Sequence, residues 1–121
     1  DHWFVGATLK LVRGAEDEGR QRIRSLLVER SEKQPIQASS AGSVFRNPAE
    51  DHAARLIDQA GLKGLKVGGA MVSHQHANFI VNTGNACAWD IEKLIACIQA
   101  RVKAKFGVLL ETEVRIVGDR L

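Results

Sequence analysis

The spacing of hydrophobic residues along the chain predicts three helices. Apolar positions three or four residues apart indicate helices over about residues 16–32, 49–60 and 90–106, because this spacing places them on one helical face. Acidic residues open the first and third segments, a proline precedes the second, and Gly61 and Gly107 follow the second and third, as expected at helix ends. The third segment has the most regular pattern, formed by Ile91, Leu94, Ile95, Ile98, Val102 and Phe106.

Runs of strand-forming residues predict β-structure between these helices. We expect strands over about residues 3–13, 76–82 and 108–117, where β-branched and aromatic residues are frequent. The segment 34–43 is rich in small and turn-forming residues and is expected to be a long loop, whereas the glycine-rich segment 61–69 should form tight turns and short extended pieces. The element order predicts an α+β fold, a single small domain of about three helices packed on a few strands.

The composition is that of one compact domain. The 121 residues are 45% hydrophobic and 26% charged, and neither a secretory signal nor an apolar run of the roughly 20 residues that cross a bilayer is present, so no membrane partner is expected. The net charge of +3 suits an anionic ligand but is too small and too dispersed for a nucleic-acid-binding protein. Two cysteines, Cys87 and Cys97, are too few for a disulfide scaffold and indicate a reducing cytoplasm.

The segment from Ala41 to Pro48 is the sharpest chemical feature of the sequence. Ser43 follows a glycine, Arg46 and Asn47 come next, and a predicted helix begins just beyond them. A hydroxyl, a guanidinium and an amide in one loop could bind a single anionic ligand. Alternatively, Ser43 and Asn47 could simply cap the helix, and the spacing alone leaves both interpretations open.

Other polar pairs carry weaker signals. His74 and His76 would lie on one face of a strand and make half of a metal site, but no further His or Cys cluster completes it, so no metal is predicted. Glu111 and Glu113 share one face of the last predicted strand, where one carboxylate could meet a ligand. The glycines of 61–69 do not follow the spacing of a dinucleotide-binding loop, so turns are the expected role.

Taken in order, the motifs of this chain resemble one bacterial enzyme family. They include Lys33-Gln34-Pro35, Ala41-Gly42-Ser43-Val44-Phe45-Arg46-Asn47-Pro48, Gly61-Leu62-Lys63-Gly64, His76-Ala77-Asn78-Phe79-Ile80-Val81-Asn82 and Leu110-Glu111-Thr112-Glu113-Val114-Arg115. The family is UDP-N-acetylenolpyruvoylglucosamine reductase, also called UDP-N-acetylmuramate dehydrogenase, and the resemblance extends from Phe4 to Gly118.

The resemblance implies that this chain is the C-terminal part of a larger flavoenzyme. Residues 1–33 would be a strand and a helix from the end of the flavin-binding region, and residues 34–121 the C-terminal substrate-binding domain. In the family, NADPH reduces FAD, and the reduced flavin transfers hydride to UDP-N-acetylglucosamine enolpyruvate, giving UDP-N-acetylmuramate for peptidoglycan synthesis. FAD would be bound mainly by domains outside this chain, so no cofactor-binding residue is assigned and the isolated chain is expected to be inactive.

The resemblance also implies the catalytic residues. Ser43 would be the proton donor that completes reduction of the enolpyruvyl group, a role that requires a hydroxyl close to the acceptor carbon. Glu113 matches the active-site glutamate, which acts with the substrate carboxylate and an arginine from the flavin domain. Glu111, two residues earlier, is the second choice for this position.

Four further residues are expected to bind substrate. Asn47 and Lys33 match family residues that contact the diphosphate, in agreement with the preference of phosphate oxygens for amide and cationic donors. Arg46 is included because its guanidinium lies in the same loop and could bind the same anionic ligand. His76 stands where some members carry a substrate-contacting glutamine, a departure that leaves this contact open.

The alternative from another functional class is a non-catalytic module that binds a nucleotide or other anionic ligand through the loop Ser43–Asn47. If the chain is part of the flavoenzyme, the surface that the flavin domains would cover is left exposed in the isolated chain. Trp3 and Phe4 are apolar residues of this surface, and we expect them to be solvent-exposed or to pair with a second copy, so dimerisation is a further prediction.

Overall fold

The computed structural model describes residues 3–35 and 37–118, in which it forms three helices and four strands. In chain order these are α1 (Glu16–Lys33), β1 (Ser40–Ser43), α2 (Ala53–Gln59), β2 (Lys66–Val67), β3 (Ala70–Val72), β4 (Phe79–Asn82) and α3 (Ala88–Phe106). The predicted α+β class is confirmed. The chain divides into two compact units, Asp1–Arg30 and Ser31–Leu121. None of the helices in the described residues is long and apolar enough to cross a membrane.

The first unit contains an N-terminal segment without regular structure, followed by most of α1. The predicted strand over 3–13 is wrong, because no strand of the described residues pairs with this segment, and backbone groups form a strand only against a partner. The side chains of Trp3 and Phe4 are almost fully exposed, and dimerisation through them stays a prediction. Helix α1 confirms the first predicted helix.

The core of the second unit forms where α2 and α3 pack together and α3 covers β2 and β3. α3 begins after Cys87, whose backbone N–H donates to the Asp90 carboxylate at 3.2 Å. It ends at Gly107, which adopts a φ of 72° that favours glycine. The helix predicted over 90–106 is therefore confirmed. The core side chains of the two helices are Ala53, Leu56, Ile57, Leu94, Ile95, Ile98 and Val102.

The sheet is antiparallel, with the strand order β1-β4-β3-β2. β4 is central, and three consecutive residues, Phe79, Ile80 and Val81, are buried in it. β1 pairs with β4 through Ser40 and Ser43, with an irregularity between them. The long loop predicted over 34–43 is therefore wrong for its last four residues, because their small side chains fit beside the edge of β4.

Beyond β1, the chain runs between Asn78 and the C-terminal segment. The backbone N–H of Val44 donates to the Asn78 carbonyl at 2.9 Å, and the Val44 carbonyl accepts the N–H of Glu113 at 2.8 Å. Phe45 and Thr112 form an isolated antiparallel bridge. The strand predicted over 108–117 is thus reduced to this bridge, because only residues near Thr112 lie against a partner. The segment that follows Ser43, Val44 to Arg46, is consequently held from both sides.

Two predicted elements begin later than expected. The segment predicted as the start of a helix at residue 49 is a turn, in which the Asp51 N–H donates to the Pro48 carbonyl at 3.3 Å, and α2 begins only at Ala53. The strand predicted from residue 76 begins at Phe79, because the Phe79 N–H closes a turn on the His76 carbonyl at 3.0 Å.

Candidate functional site

A polar cavity of about 480 Å³ lies beside the segment from Ser43 to Asn47. This volume is within the range of small-molecule binding sites. Four residues selected from the sequence line the cavity together: Ser43, Asn47, His76 and Glu113. The remaining lining residues are Phe45, His52, Ala54, Arg55 and Asn78. Residues far apart in the sequence therefore converge on one concave surface.

The extended backbone explains why Ser43 and Asn47 share this surface. Alternate residues of an extended segment point to the same side, so Ser43, Phe45 and Asn47 all line the cavity. Glu113 reaches it from the C-terminal segment, whose backbone is bonded to Val44. The described residues offer the Ser43 hydroxyl no hydrogen-bond partner, so this hydroxyl is available to a ligand.

Asn47 has one structural contact and one available group. Its side-chain oxygen accepts the backbone N–H of Ala53 at 3.0 Å, which satisfies a donor at the start of α2. Because the oxygen is fixed by a donor, the amide NH₂ is the end that remains for a ligand. The N-cap residue of α2 is His52, which makes no side-chain cap bond, and Asn47 instead satisfies the N–H of Ala53 from outside the helix. The ligand contact of Asn47 stays a prediction compatible with this role.

His76 is held in a defined orientation at the cavity wall. Its Nδ1 accepts the backbone N–H of Asn78 at 3.3 Å, and its ring meets the ring of Phe79 edge-on at a centroid distance of 4.8 Å. Burial, followed by the positive charge of Lys63, lowers the pKa of His76 below its ordinary value. The ring is therefore neutral near pH 7, with Nε2 as the protonated nitrogen that can donate.

Arg55 is a basic residue of the cavity wall that is not among the candidates selected from the sequence. Arg55, on α2, donates from Nε to the Asp51 carboxylate at 2.6 Å and from Nη1 to Gln59 at 2.7 Å. The hydrogen bond from Arg55 holds the pKa of Asp51 at about 2. The four-residue spacing of Asp51 and Arg55 is the sequence signal that could have indicated this pair.

Three other candidates lie outside the lining of this cavity. Arg46 and Glu111 line a neighbouring space of about 230 Å³, where the Arg46 N–H donates to the Glu111 carbonyl at 2.9 Å. Asn47 borders both spaces. Lys33, the last residue of α1, contributes to neither. Glu113 and Glu111, predicted on one strand face, are thus separated, and Glu113 is the carboxylate that shares a cavity with Ser43.

The fold and this cavity define a small α+β domain with a ligand-sized site beside the segment from Ser43 to Asn47. Residues 34–117 match the family model described as UDP-N-acetylenolpyruvoylglucosamine reductase, C-terminal domain. The chain belongs to this family.

Individual relatives agree with the family match. The chain is 59% identical over 117 residues to the UDP-N-acetylenolpyruvoylglucosamine reductase of Methylococcus capsulatus, covering 97% of this chain and 38% of that protein. It is 52% identical over 120 residues to the enzyme of the same name from Thiobacillus denitrificans, covering 99% and 37%. The crystal structure of UDP-N-acetylenolpyruvylglucosamine reductase from Thermus caldophilus matches with a TM-score of 0.69 at 40% identity, covering 88% and 37%. The chain thus spans less than two fifths of the length of these relatives.

Two residues of the glycine-rich segment, Gly68 and Gly69, do not fit a phosphate-binding role toward the FAD that the family implies. A Cβ on Gly69 would lie 2.3 Å from the Ala86 backbone nitrogen, and one on Gly68 would meet the Asp90 carboxylate at 2.3 Å. These glycines therefore permit close packing against the start of α3 and do not form an open phosphate-binding loop. Among the residues that the structure describes, no group of three or more His, Cys, Asp or Glu side chains could hold a metal ion.

Proposed function

We propose that the full-length protein reduces UDP-N-acetylglucosamine enolpyruvate to UDP-N-acetylmuramate and that this chain supplies its substrate-binding domain. The observation that carries the proposal is the convergence of Ser43, Asn47, His76 and Glu113 on one cavity. Family membership supports the same activity, since the relatives are named as this reductase. The pathway is bacterial cell-wall synthesis, and the two free cysteines accord with a cytoplasmic enzyme.

Substrate binding is assigned to the donors around Ser43. The free NH₂ of Asn47 and the Nε2–H of His76 are proposed to contact the anionic substrate, because neither group is consumed by its structural hydrogen bond. Arg46, in the adjacent space, and Lys33, at the end of α1, are proposed to extend the diphosphate contacts. These two assignments depend on the family resemblance more than on the cavity.

Ser43 is proposed to complete the reduction by donating a proton. When bound by the preceding domains and reduced by NADPH, FAD supplies hydride to the enolpyruvyl double bond. The electron pair left on the adjacent carbon takes the proton of the Ser43 hydroxyl, which gives the lactyl ether and leaves an alkoxide that solvent reprotonates. Glu113 is proposed to act beside the substrate carboxylate in the same cavity.

The test separates the two half-reactions in the full-length protein. Ser43→Ala should leave reduction of the flavin by NADPH unchanged and slow reoxidation by the enolpyruvyl substrate about 10²- to 10⁴-fold, the usual contribution of a positioned acid. Stopped-flow absorbance of the flavin follows both steps. Ser40→Ala is the matched control, since Ser40 lies on the same strand but lines a different, apolar space.

Three outcomes would contradict the proposal. Equal loss of both half-reactions in Ser43→Ala would remove its proton-donor role, and an unaltered second half-reaction would do the same. A wild-type protein that binds the nucleotide but never oxidises NADPH in its presence would favour the non-catalytic binding module.

A further inference from the structure

Asn78 makes an unusual pair of contacts with the loop between Ser43 and Asn47. Its side-chain oxygen accepts the backbone N–H of Phe45 at 3.0 Å, and its side-chain nitrogen donates to the carbonyl of the same residue at 2.8 Å. Asn78 is only 4% exposed and Phe45 only 1%. The buried side-chain amide of Asn78 thus bonds both backbone groups of Phe45, as a neighbouring strand would. Its oxygen and its nitrogen each have a hydrogen-bond partner.

The position of Phe45 gives these contacts a functional consequence. Phe45 lies midway between Ser43 and Asn47, so fixing both of its backbone groups fixes the backbone that separates the two ligand-facing side chains. The Asn78 backbone adds a third bond, since its carbonyl accepts the Val44 N–H at 2.9 Å. A register change of one residue would turn Ser43 and Asn47 away from the cavity.

Asn78 is also coupled to another wall of the same cavity. The backbone N–H of Asn78 donates to the ring Nδ1 of His76. The backbone N–H of His76 donates in turn to the buried Ser73 hydroxyl at 3.3 Å. The turn that orients His76 and the side chain that holds Phe45 are therefore one continuous piece of structure. Movement of Asn78 would displace both His76 and the segment between Ser43 and Asn47, which line two sides of the cavity.

We propose that Asn78 is a positioning residue, which sets the placement of the Ser43 hydroxyl for proton transfer through its paired hydrogen bonds to Phe45. This inference rests on the proposed function and deepens it. The Ser43 hydroxyl has no hydrogen bond within the described residues, so its placement depends on the backbone that carries it, which pairs with Phe79 of β4 and continues into Phe45. Proton donation is sensitive to such placement, since a displacement of about 1 Å can cost roughly 10²-fold in rate.

Asn82 offers a matched control in the same sequence motif. Its side-chain oxygen accepts the N–H groups of Gly84 and Ala86 at 2.8 and 3.0 Å, both within its own loop, and it lines the apolar space rather than the polar cavity. It therefore resembles Asn78 as a side chain that organises backbone, but its side-chain hydrogen bonds stay within 82–86 and do not reach the segment between Ser43 and Asn47.

The experiment compares Asn78→Ser with Asn82→Ser in the full-length protein. Serine is too short to bridge both groups of Phe45, and it leaves room for water to satisfy them. In Asn78→Ser, we expect flavin reduction by NADPH to stay unchanged and reoxidation by UDP-N-acetylglucosamine enolpyruvate to slow about 10- to 100-fold. The solvent deuterium isotope effect on reoxidation should increase, because proton transfer then limits the step. Asn82→Ser should change neither rate nor isotope effect.

The isotope effect separates positioning from loss of folded protein. A smaller folded fraction lowers the amplitude in both half-reactions but leaves the isotope effect of the remaining enzyme unchanged, an outcome that would overturn the proposal. Equal effects of the two asparagine variants would also overturn it. If Asn78→Ser does not fold, Asn78→Gln, which keeps both functional groups but displaces them by one methylene, gives the same readouts. A wild-type protein without turnover would instead refute the proposed function.

Discussion

Replacing Asn47 by aspartate or alanine separates its structural contact from its proposed substrate contact. The side-chain oxygen accepts the Ala53 N–H at 3.0 Å, whereas the NH₂ is proposed to face the diphosphate. Asn47→Asp keeps an acceptor for Ala53 but removes both donors and adds a negative charge. Asn47→Ala removes both functions. The two variants should therefore differ in the stability of the fold, whereas both should bind the substrate more weakly.

The expected magnitudes follow from the hydrogen bonds at stake. Loss of the acceptor in Asn47→Ala should cost about 1 kcal/mol, the usual net contribution of one hydrogen bond, which lowers Tm by about 4–8 °C in a domain of this size. Asn47→Asp should stay close to wild type in Tm. Loss of a donor to a charged group is worth about 1.5–3 kcal/mol, so both variants should raise KM for the enolpyruvyl substrate at least roughly 10- to 100-fold.

Two assays check this reasoning. Thermal unfolding of the 121-residue chain, followed by circular dichroism, reports the hydrogen bond to Ala53, and steady-state kinetics of the full-length enzyme reports the substrate contact. An Asn47→Asp enzyme with wild-type KM would refute the diphosphate contact and leave Asn47 with its contact to Ala53 alone. If Asn47→Asp lowers the Tm of the chain as much as Asn47→Ala does, the hydrogen bond from the Ala53 N–H to the Asn47 side-chain oxygen would be refuted.

Two further predictions concern stability. Because burial and Lys63 lower the pKa of His76 from its usual 6.5, the unfolded chain takes up this proton first as the pH falls, so stability should decrease below about pH 6.5. His76→Gln should reduce that loss of stability in thermal melts between about pH 7 and 5. Equal slopes of Tm against pH in the variant and the wild type would contradict the prediction. Gly69→Ala should destabilise by roughly 1–3 kcal/mol or more, since the new Cβ would meet the Ala86 backbone, whereas Gly19→Ala, in open space, should not lower Tm.

The helices could be predicted from the sequence because their signals are local. The third helix carries its apolar stripe, an acidic start and a terminal glycine within the segment 90–107, and the structure reproduces it almost to the residue. The strands were less predictable, because a strand requires a partner distant in sequence. Residues 3–13 have strand-forming side chains but no partner in the described structure, whereas β1 forms from small residues beside β4.

The candidate site was also predictable only in part from the sequence. Residue types and motif order singled out Ser43, Asn47 and Glu113 and indicated the family to which the chain belongs. The sequence left Glu113 and Glu111 as alternatives, and only the pairing of the C-terminal segment with Val44 and Arg46 assigned them to different spaces. That pairing is a long-range backbone contact, for which a single sequence carries no local signal.

The sequence by itself determined the helices, the α+β class and the chemical groups of the site, since propensity, periodicity and residue type act over a few neighbours. Tertiary structure alone decided which of these groups meet. Asn78 shows the reason: its amide is unremarkable in the sequence, and its paired bonds to Phe45 exist only because the fold brings together residues 33 positions apart.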